Sequence, residues 1–263
     1  MSFINSYAPP LPPTPLDDKD LYGPEPYDIN FVYHLDFPSL ETDRVKLTPF
    51  IPRLHGDYFW SQIEPQVGTL FRYYPFTFTS KEDFLTIMER KIRQDPNNVL
   101  LSVIDKTKPN PEHPEFQGGS FAGLIGLINS VPANLVTEIG FVVVLPQFQR
   151  THVASNAAGA LLRYCLELPS ADVPGLGLRR VEWKAHSKNA PSARLAEKMG
   201  FTKEGLLKWQ LVLSPALAKD ANKPRDGDRW PNHYGRDSFL FSVTWEDWVN
   251  DVKDLVQKNI DRV

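Results

Sequence analysis

Residues 137–164 read TEIGFVVVLPQFQRTHVASNAAGALLRY, and the rest of the chain is organised around this stretch. From Ile139 to Leu145 it is apolar, broken only by Gly140, as expected of a central strand buried on both faces. A polar turn of Gln149, Arg150, Thr151 and His152 follows. Residues at helical spacing come next, with Ala154, Ala158, Leu161, Cys165 and Leu168 on one face. Cys165 therefore reads as a core residue and not as a nucleophile. A strand that turns directly into a helix leaves the first helical N–H groups unpaired and pointing outward. With the helix dipole and the charge of Arg150 they suit an anion such as a diphosphate. An ordinary solvated turn has the same donors, so its surroundings must decide what it holds.

Upstream, ETDRVKLTPF (41–50) alternates as a first strand, while PRLHGDYFWSQI (52–63) and SKEDFLTIMERKIRQ (80–94) carry helical spacing. NVLLSVID (98–105) and SFAGLIGLINSV (120–131) read as strands, the second joined to the central strand through Pro132, Ala133 and Asn134. Downstream come a strand RRVEWKAH (179–186), a short helix NAPSARLAEKMG (189–200) closed by Gly200, and strands at 201–213 and 236–243. The polar segment between those last strands, residues 214–235, is long enough to suspect function. Thr244 with Asp247 resembles a capping box before a last helix, which presents Trp248, Val249, Val252, Leu255 and Val256 on one face. Two motifs fail on context. GLGLRR (175–180) has arginine in place of the third fingerprint glycine, and GGSFA (118–122) precedes a strand where a nucleophile elbow needs a helix.

Eight of the 24 prolines lie in the first 40 residues, where they disfavour regular structure. We read 1–38 as a proline-rich arm, draped over the body by its aromatics, and 39–263 as one domain. The 29 basic and 32 acidic residues nearly cancel, so nothing draws the chain to nucleic acid or to a membrane surface. One cysteine excludes an internal disulfide, and six scattered histidines offer no pair at metal-ligand spacing. The N-terminal residues lack a signal-peptide pattern, and no apolar run is long enough to span a bilayer. A cytoplasmic protein without metal, monomeric or homodimeric, is expected.

At Gln149-Arg150-Thr151-His152-Val153-Ala154 the chain resembles the GNAT superfamily of acetyl-CoA-dependent N-acetyltransferases, whose turn reads Gln/Arg-x-x-Gly-x-Gly/Ala. NAPSARLAEKMGFTKEG (189–205) is similar to a second landmark, in the ribosomal-protein-acetyltransferase branch (RimJ/RimL type). GRDSFLFSVTWEDW (235–248) matches its closing segment, and the general look is of fungal members. The resemblance covers roughly residues 41–248 and implies an α+β fold: a mostly antiparallel mixed sheet, flanked by helices and splayed at the acetyl-CoA site. It further implies backbone contacts to the pantetheine arm from Val142, Val143 and Val144. Gln149, Arg150, Thr151, His152, Val153, Ala154 and Ser155 would hold the diphosphate, and Asn189 would touch the cofactor from the next junction, besides capping its helix.

Acetyl transfer to an amine, by direct attack in a ternary complex, needs a base, a donor for the carbonyl oxygen and an acid for the departing thiolate. Glu138, in a context similar to the strand carrying the catalytic glutamate of histone acetyltransferases, is the candidate base. His186, Glu204 and Asp237 are alternatives, and a structural role for Glu138 is the competing reading. The N–H of Val142 or Val143 would polarise the carbonyl, and Ser192 is the candidate acid. Three departures stand out: His152 replaces the first motif glycine, Ala196 a tyrosine acid, and Leu211 a glutamate. If the His152 position needs a positive φ, histidine is among the less costly non-glycine residues; its side chain would then contact the diphosphate or point to solvent. Trp60 and FRYYPFTF (71–78) would line the acceptor side, with Asp220, Asp226, Asp228, Trp230, His233 and Tyr234 from the long loop. Carboxylates beside aromatics suit an ammonium group, so a small amine or xenobiotic is open beside a protein N-terminus. The alternatives are a catalytically degenerate acyl-CoA-binding protein of the same fold, and an interaction module centred on the arm.

Overall fold

The computed structural model describes residues 2–9, 11 and 14–262. One seven-stranded sheet organises the chain: β1 (Val45–Pro49), β2 (Val99–Asp105), β3 (Ser120–Val131), β4 (Val136–Val144), β5 (Arg180–His186), β6 (Thr202–Leu213) and β7 (Tyr234–Thr244), in the order β1-β2-β3-β4-β5-β7-β6. Every pairing is antiparallel except that of β4 with β5. The longer helices are α1 (Pro52–Ile63), α2 (Lys81–Ile87, prolonged by a π turn Met88–Arg93), α3 (Val153–Leu166), α4 (Ala190–Lys198) and a final α5 (residues 245–261). The α+β reading and its mixed, helix-flanked sheet agree with this architecture.

Burial follows the side-chain chemistry. Strand β2 is buried throughout, whereas β5 alternates, with Val181, Trp183 and Ala185 on the core face and Arg180, Glu182 and Lys184 on the other. Helix α3 is buried nearly all round, between the sheet and α5. Its small residues permit that fit, since a Cβ on Gly159 would stand 2.9 Å from Ile260 Cγ1. Leu168 lies beyond the end of α3 and is 61 % exposed, contrary to its expected place on the buried face. In α5 the Thr244–Asp247 capping box is present, followed by Trp245–Asp247, a π turn Trp248–Val252 and Lys253–Asp261. The π turn adds a residue, so Trp248, Val252, Val256 and Ile260 form the buried stripe while Val249 and Leu255 face solvent. From Leu16 onward the arm packs on the body; Leu21 and Leu35 join the core, and Tyr164 Oη accepts from the Asp36 N–H at 2.7 Å.

Helix α1 buries His55, Phe59, Trp60 and Ile63. Trp60 packs against Phe84, 6.4 Å between centroids, so it belongs to the core and not to an acceptor pocket. His55 Nδ1 accepts the Ile51 N–H at 3.0 Å, with Ser102 Oγ at 3.2 Å. Burial lowers its pKa to about 4. The unfolded chain, with an ordinary imidazole pKa near 6.5, binds this proton more readily than the native state. Stability is therefore held above about pH 6.5 and lost as pH falls toward about 4. Between pH 7 and 4.5 the expected loss from this group is about 2–3 kcal/mol. His55→Asn keeps an acceptor near Nδ1 and removes the titration. Urea melts at both pH values should show a correspondingly shallower pH dependence in the variant; equal slopes would discard the assignment.

Candidate active site

The parallel pairing of β4 with β5 lasts for three residues only, Val136–Glu138 against Arg180–Glu182. Beyond it the strands separate, leaving the later residues of β4 without a partner on that side. A bulge in β4 marks the separation: Leu124 pairs with Val143 and Gly126 with Gly140, so Phe141 and Val142 together oppose Ile125. Phe141 adopts φ +54°, a costly conformation for an aromatic residue. Its ring is held by Phe76 at 5.7 Å and Tyr74 at 5.4 Å. On the other side β3 approaches so closely that a Cβ on Gly123 would stand 2.0 Å from the Val143 carbonyl oxygen. A larger residue there would push β4 out of register.

Because β4 and β5 run parallel, the helices that follow them begin at the same open end of the split. The first backbone hydrogen bond of α3 runs from Asn156 N–H to His152 C=O, so the N–H groups of Val153, Ala154 and Ser155 have no carbonyl within the helix. Val153 N–H reaches Thr151 Oγ at 3.3 Å, and that hydroxyl donates to the Phe148 carbonyl at 2.6 Å. The Gln149 side chain donates to the Val144 carbonyl at 3.0 Å. Ser155 Oγ accepts from Lys198 Nζ at 2.8 Å, tying the first turn of α3 to the end of α4. At the head of α4, Asn189 Oδ1 accepts the Ser192 N–H at 3.3 Å, and Ser192 Oγ accepts the Trp183 indole N–H at 3.0 Å. The Ser192 hydroxyl proton is thereby left to donate elsewhere.

The left-handed residue of the turn is Arg150, at φ +61°, and its side chain is exposed. His152 is right-handed, at φ −66°, so the position does not need a positive φ. Glycine is not required at that position. The His152 ring is turned inward, with Nε2 3.2 Å from Asp105 Oδ1 at the end of β2. Burial lowers its pKa, against the pull of Asp105. Neither expected placement of the ring, on a diphosphate or in solvent, fits this contact; what His152 offers the outer turn is backbone.

Under the split, Glu138 is buried. Its Oε2 accepts from Lys184 Nζ and Asn129 Nδ2, both at 2.8 Å, while Oε1 lies over Gly140, 3.8 Å from where a Cβ would stand. Lys184 also holds Glu182 at 2.7 Å, and Arg180 bridges Glu182 to Glu204. Those bonds push the Glu204 pKa down to about 2. Asp237 Oδ1 accepts from Trp209 N–H and Asn222 Nδ2, each at 2.8 Å. His186 Nδ1 accepts the Lys188 N–H at 3.0 Å, so the neutral ring carries its proton on Nε2. Burial, then the charge of Arg236, lowers its pKa.

Tyr74 donates to the Val142 carbonyl at 2.9 Å, and burial raises its pKa. That carbonyl is therefore engaged. Tyr73 packs on the His186 ring at 5.2 Å. Phe71 and Phe78 are core residues. In the long loop Asp220 is bound by Arg72 at 2.7 Å and faces Lys188 at 3.9 Å. Asp228 Oδ1 takes the Trp230 N–H at 3.0 Å, Trp230 packs on His233 at 5.7 Å, and Asp226 is exposed. The loop thus offers no cluster of free carboxylates to an ammonium group. Two residues that sequence reasoning passed over, Lys184 and Arg236, stand on this face. Their signal was the two-residue alternation of charge along Arg180, Glu182, Lys184 and His186, and the charged Arg236 within the last strand. Among the described residues no three His, Cys, Asp or Glu side chains are placed to hold a metal ion, and no helix is long and apolar enough to cross a membrane.

A mixed sheet split between two parallel strands, each feeding a helix N-terminus at the open end, defines a cleft for an extended ligand with an anionic end. The chain matches the family described as Acetyltransferase (GNAT) domain over residues 44–202, more than half its length, and belongs to that family of acetyl-CoA-using acetyltransferases. Among solved structures it is similar to a GCN5-related N-acetyltransferase from Brucella melitensis (25 % identity, 84 % of each chain, TM-score 0.61). A probable GNAT-family acetyltransferase from Chromobacterium violaceum shares the fold at 24 % identity, covering 92 % of this chain and 100 % of that one with TM-score 0.63. So does RimJ of Mycobacterium smegmatis, solved in complex with CoA-disulfide, at 18 % identity over 81 % and 88 % of the two chains, TM-score 0.57. A search of curated proteins gives no match.

Proposed function

We propose that the chain is a cytosolic N-acetyltransferase of the ribosomal-protein-acetyltransferase-like branch, active as a monomer or homodimer. It moves the acetyl group of acetyl-CoA directly to a primary amine in a ternary complex. The observation that carries this is the split of β4 from β5 after three paired residues, with a helix N-terminus beyond each strand. Backbone groups of Val142, Val143 and Val144 face the pantetheine arm. The turn from Gln149 to Ser155 receives the diphosphate on its N–H groups and the charge of Arg150, and Asn189 borders the same opening.

Of the candidate bases, Glu138 fits best. Glu204 is locked in its arginine pair, Asp237 holds Trp209 and Asn222 on the opposite face of β7 from Arg236 and Ser238, and the neutral His186 has no free lone pair on Nε2. Glu138 keeps Oε1 toward the split while Lys184 and Asn129 fix Oε2, so it can take the amine proton through a water. The N–H of Val142 or Val143 polarises the thioester carbonyl, and the Ser192 hydroxyl protonates the leaving thiolate. A thiol with pKa near 8.5 leaves readily without much help. Ser192→Ala should therefore lower kcat only about tenfold, a modest share of what a positioned acid supplies. Single-turnover thiol release measures it, and an unchanged rate removes Ser192 from the chemistry.

The absence of the family's tyrosine and glutamate, at Ala196 and Leu211, favours a second reading, a protein that binds acyl-CoA and has lost turnover. Calorimetric titration with acetyl-CoA, then thiol release across an amine panel, separates them. Binding with turnover supports the enzyme, binding without turnover the second reading, and no binding would refute both.

A further inference from the structure

On the polar face under the split three carboxylates meet three cations, but one of the cations makes no hydrogen bond. Glu138, Glu182 and Glu204 are matched by Lys184 and Arg180 in bonded pairs. Arg236, at Leu211's register on β7, is 9 % exposed, and among the described residues nothing accepts a hydrogen bond from its guanidinium. Its Nε is fully buried without a partner, as is Ser238 Oγ two residues along the same face, opposite His186. Glu138, Tyr74 and His186 all feel its charge. It therefore lies near both the candidate base and the tyrosine bound to Val142. Arginine stays protonated even when burial lowers its pKa. A buried cation without a bonded partner is costly, and buried polar groups left unsatisfied in a native fold call for a missing partner.

We propose that the missing partner is a carboxylate on the acceptor: the amine substrate is of the amino-acid class, held by its carboxylate on Arg236 while its amine faces Glu138. This rests on the acetyl-transfer reading for the identity of the amine, and on the geometry alone for the anion. It reverses the ammonium preference expected from the loop, whose Asp220 and Asp228 are already bound.

Matched pairs test it: phenylalanine against phenethylamine, alanine against ethylamine and lysine against cadaverine, each followed by thiol release from acetyl-CoA. The carboxylated member should have the higher kcat/KM by about tenfold or more, as expected when one charged contact is removed. Arg236→Gln should erase that preference with CoA affinity unchanged, and Arg236→Lys should retain part of it. Equal or better use of the decarboxylated members overturns the proposal, as does an Arg236→Gln variant that slows both members alike. A preference for O-phosphoethanolamine over alanine would also reject the carboxylate. Calorimetric binding of N-acetylphenylalanine and N-acetylphenethylamine, with and without CoA, reads the site independently of turnover. Tighter binding of the first, lost in Arg236→Gln, supports the proposal even if CoA fails to bind and the acetyl-transfer reading falls. Binding of neither overturns it.

Discussion

Glu138→Gln will lower kcat by about 10²–10³-fold and leave the acetyl-CoA dissociation constant within about twofold, the size of effect expected for a positioned general base. The substitution preserves shape and keeps an oxygen for Lys184 Nζ and Asn129 Nδ2, which both bond Oε2 at 2.8 Å. Lys184 also retains Glu182, so the half-buried ammonium is not left unpaired, and the large cost of breaking an ion pair outright is avoided. What disappears is the basic Oε1 over Gly140. If Glu138 is instead only a strut in the charge network, the variant will lose thermal stability while kcat per folded molecule holds. Rates corrected for the folded fraction, with a melting curve on the same sample, separate the two outcomes.

The strand–turn–helix at 137–164 was legible because it is local: an apolar run, a polar turn and a helical repeat each follow from neighbouring residues, and the structure has all three. The sheet's seven strands were legible for the same reason. The cost of bulges and π turns was not. Phe141 at φ +54° is held by rings from residues 74 and 76, far away in sequence, and the π turn at Trp248–Val252 moved Val249 and Leu255 off the buried stripe. His152 shows the limit most directly. Its motif position left open whether a positive φ was needed there; the left-handed residue is two positions earlier, Arg150, and the ring found a partner in Asp105, 47 residues away. Charges were the least legible. The alternation in β5 announced a polar face, but only the fold pairs Lys184 with Glu138 and leaves Arg236 without a bonded partner.

Arg150→Glu should weaken acetyl-CoA binding by about 10–100-fold at low salt, roughly 1.4–2.7 kcal/mol. The exposed guanidinium stands at the mouth of the turn, beside the N–H groups of Ala154 and Ser155, which have no carbonyl within the helix. Reversing its sign sets a carboxylate against the diphosphate while leaving the backbone donors in place. At an exposed position the penalty must shrink as salt rises, because the Debye length falls from about 10 Å at 0.1 M to about 3 Å at 1 M. Arg150→Gly gives the complementary result. It relieves a left-handed residue that costs about 1–2 kcal/mol, offset in part by the greater freedom of glycine in the unfolded chain. Stability should hold or rise while affinity falls severalfold, a divergence that general damage to the fold cannot produce. Calorimetry at 50 mM and 500 mM salt beside thermal melts makes the comparison. A salt-independent loss, or none at all, would move the diphosphate away from this turn.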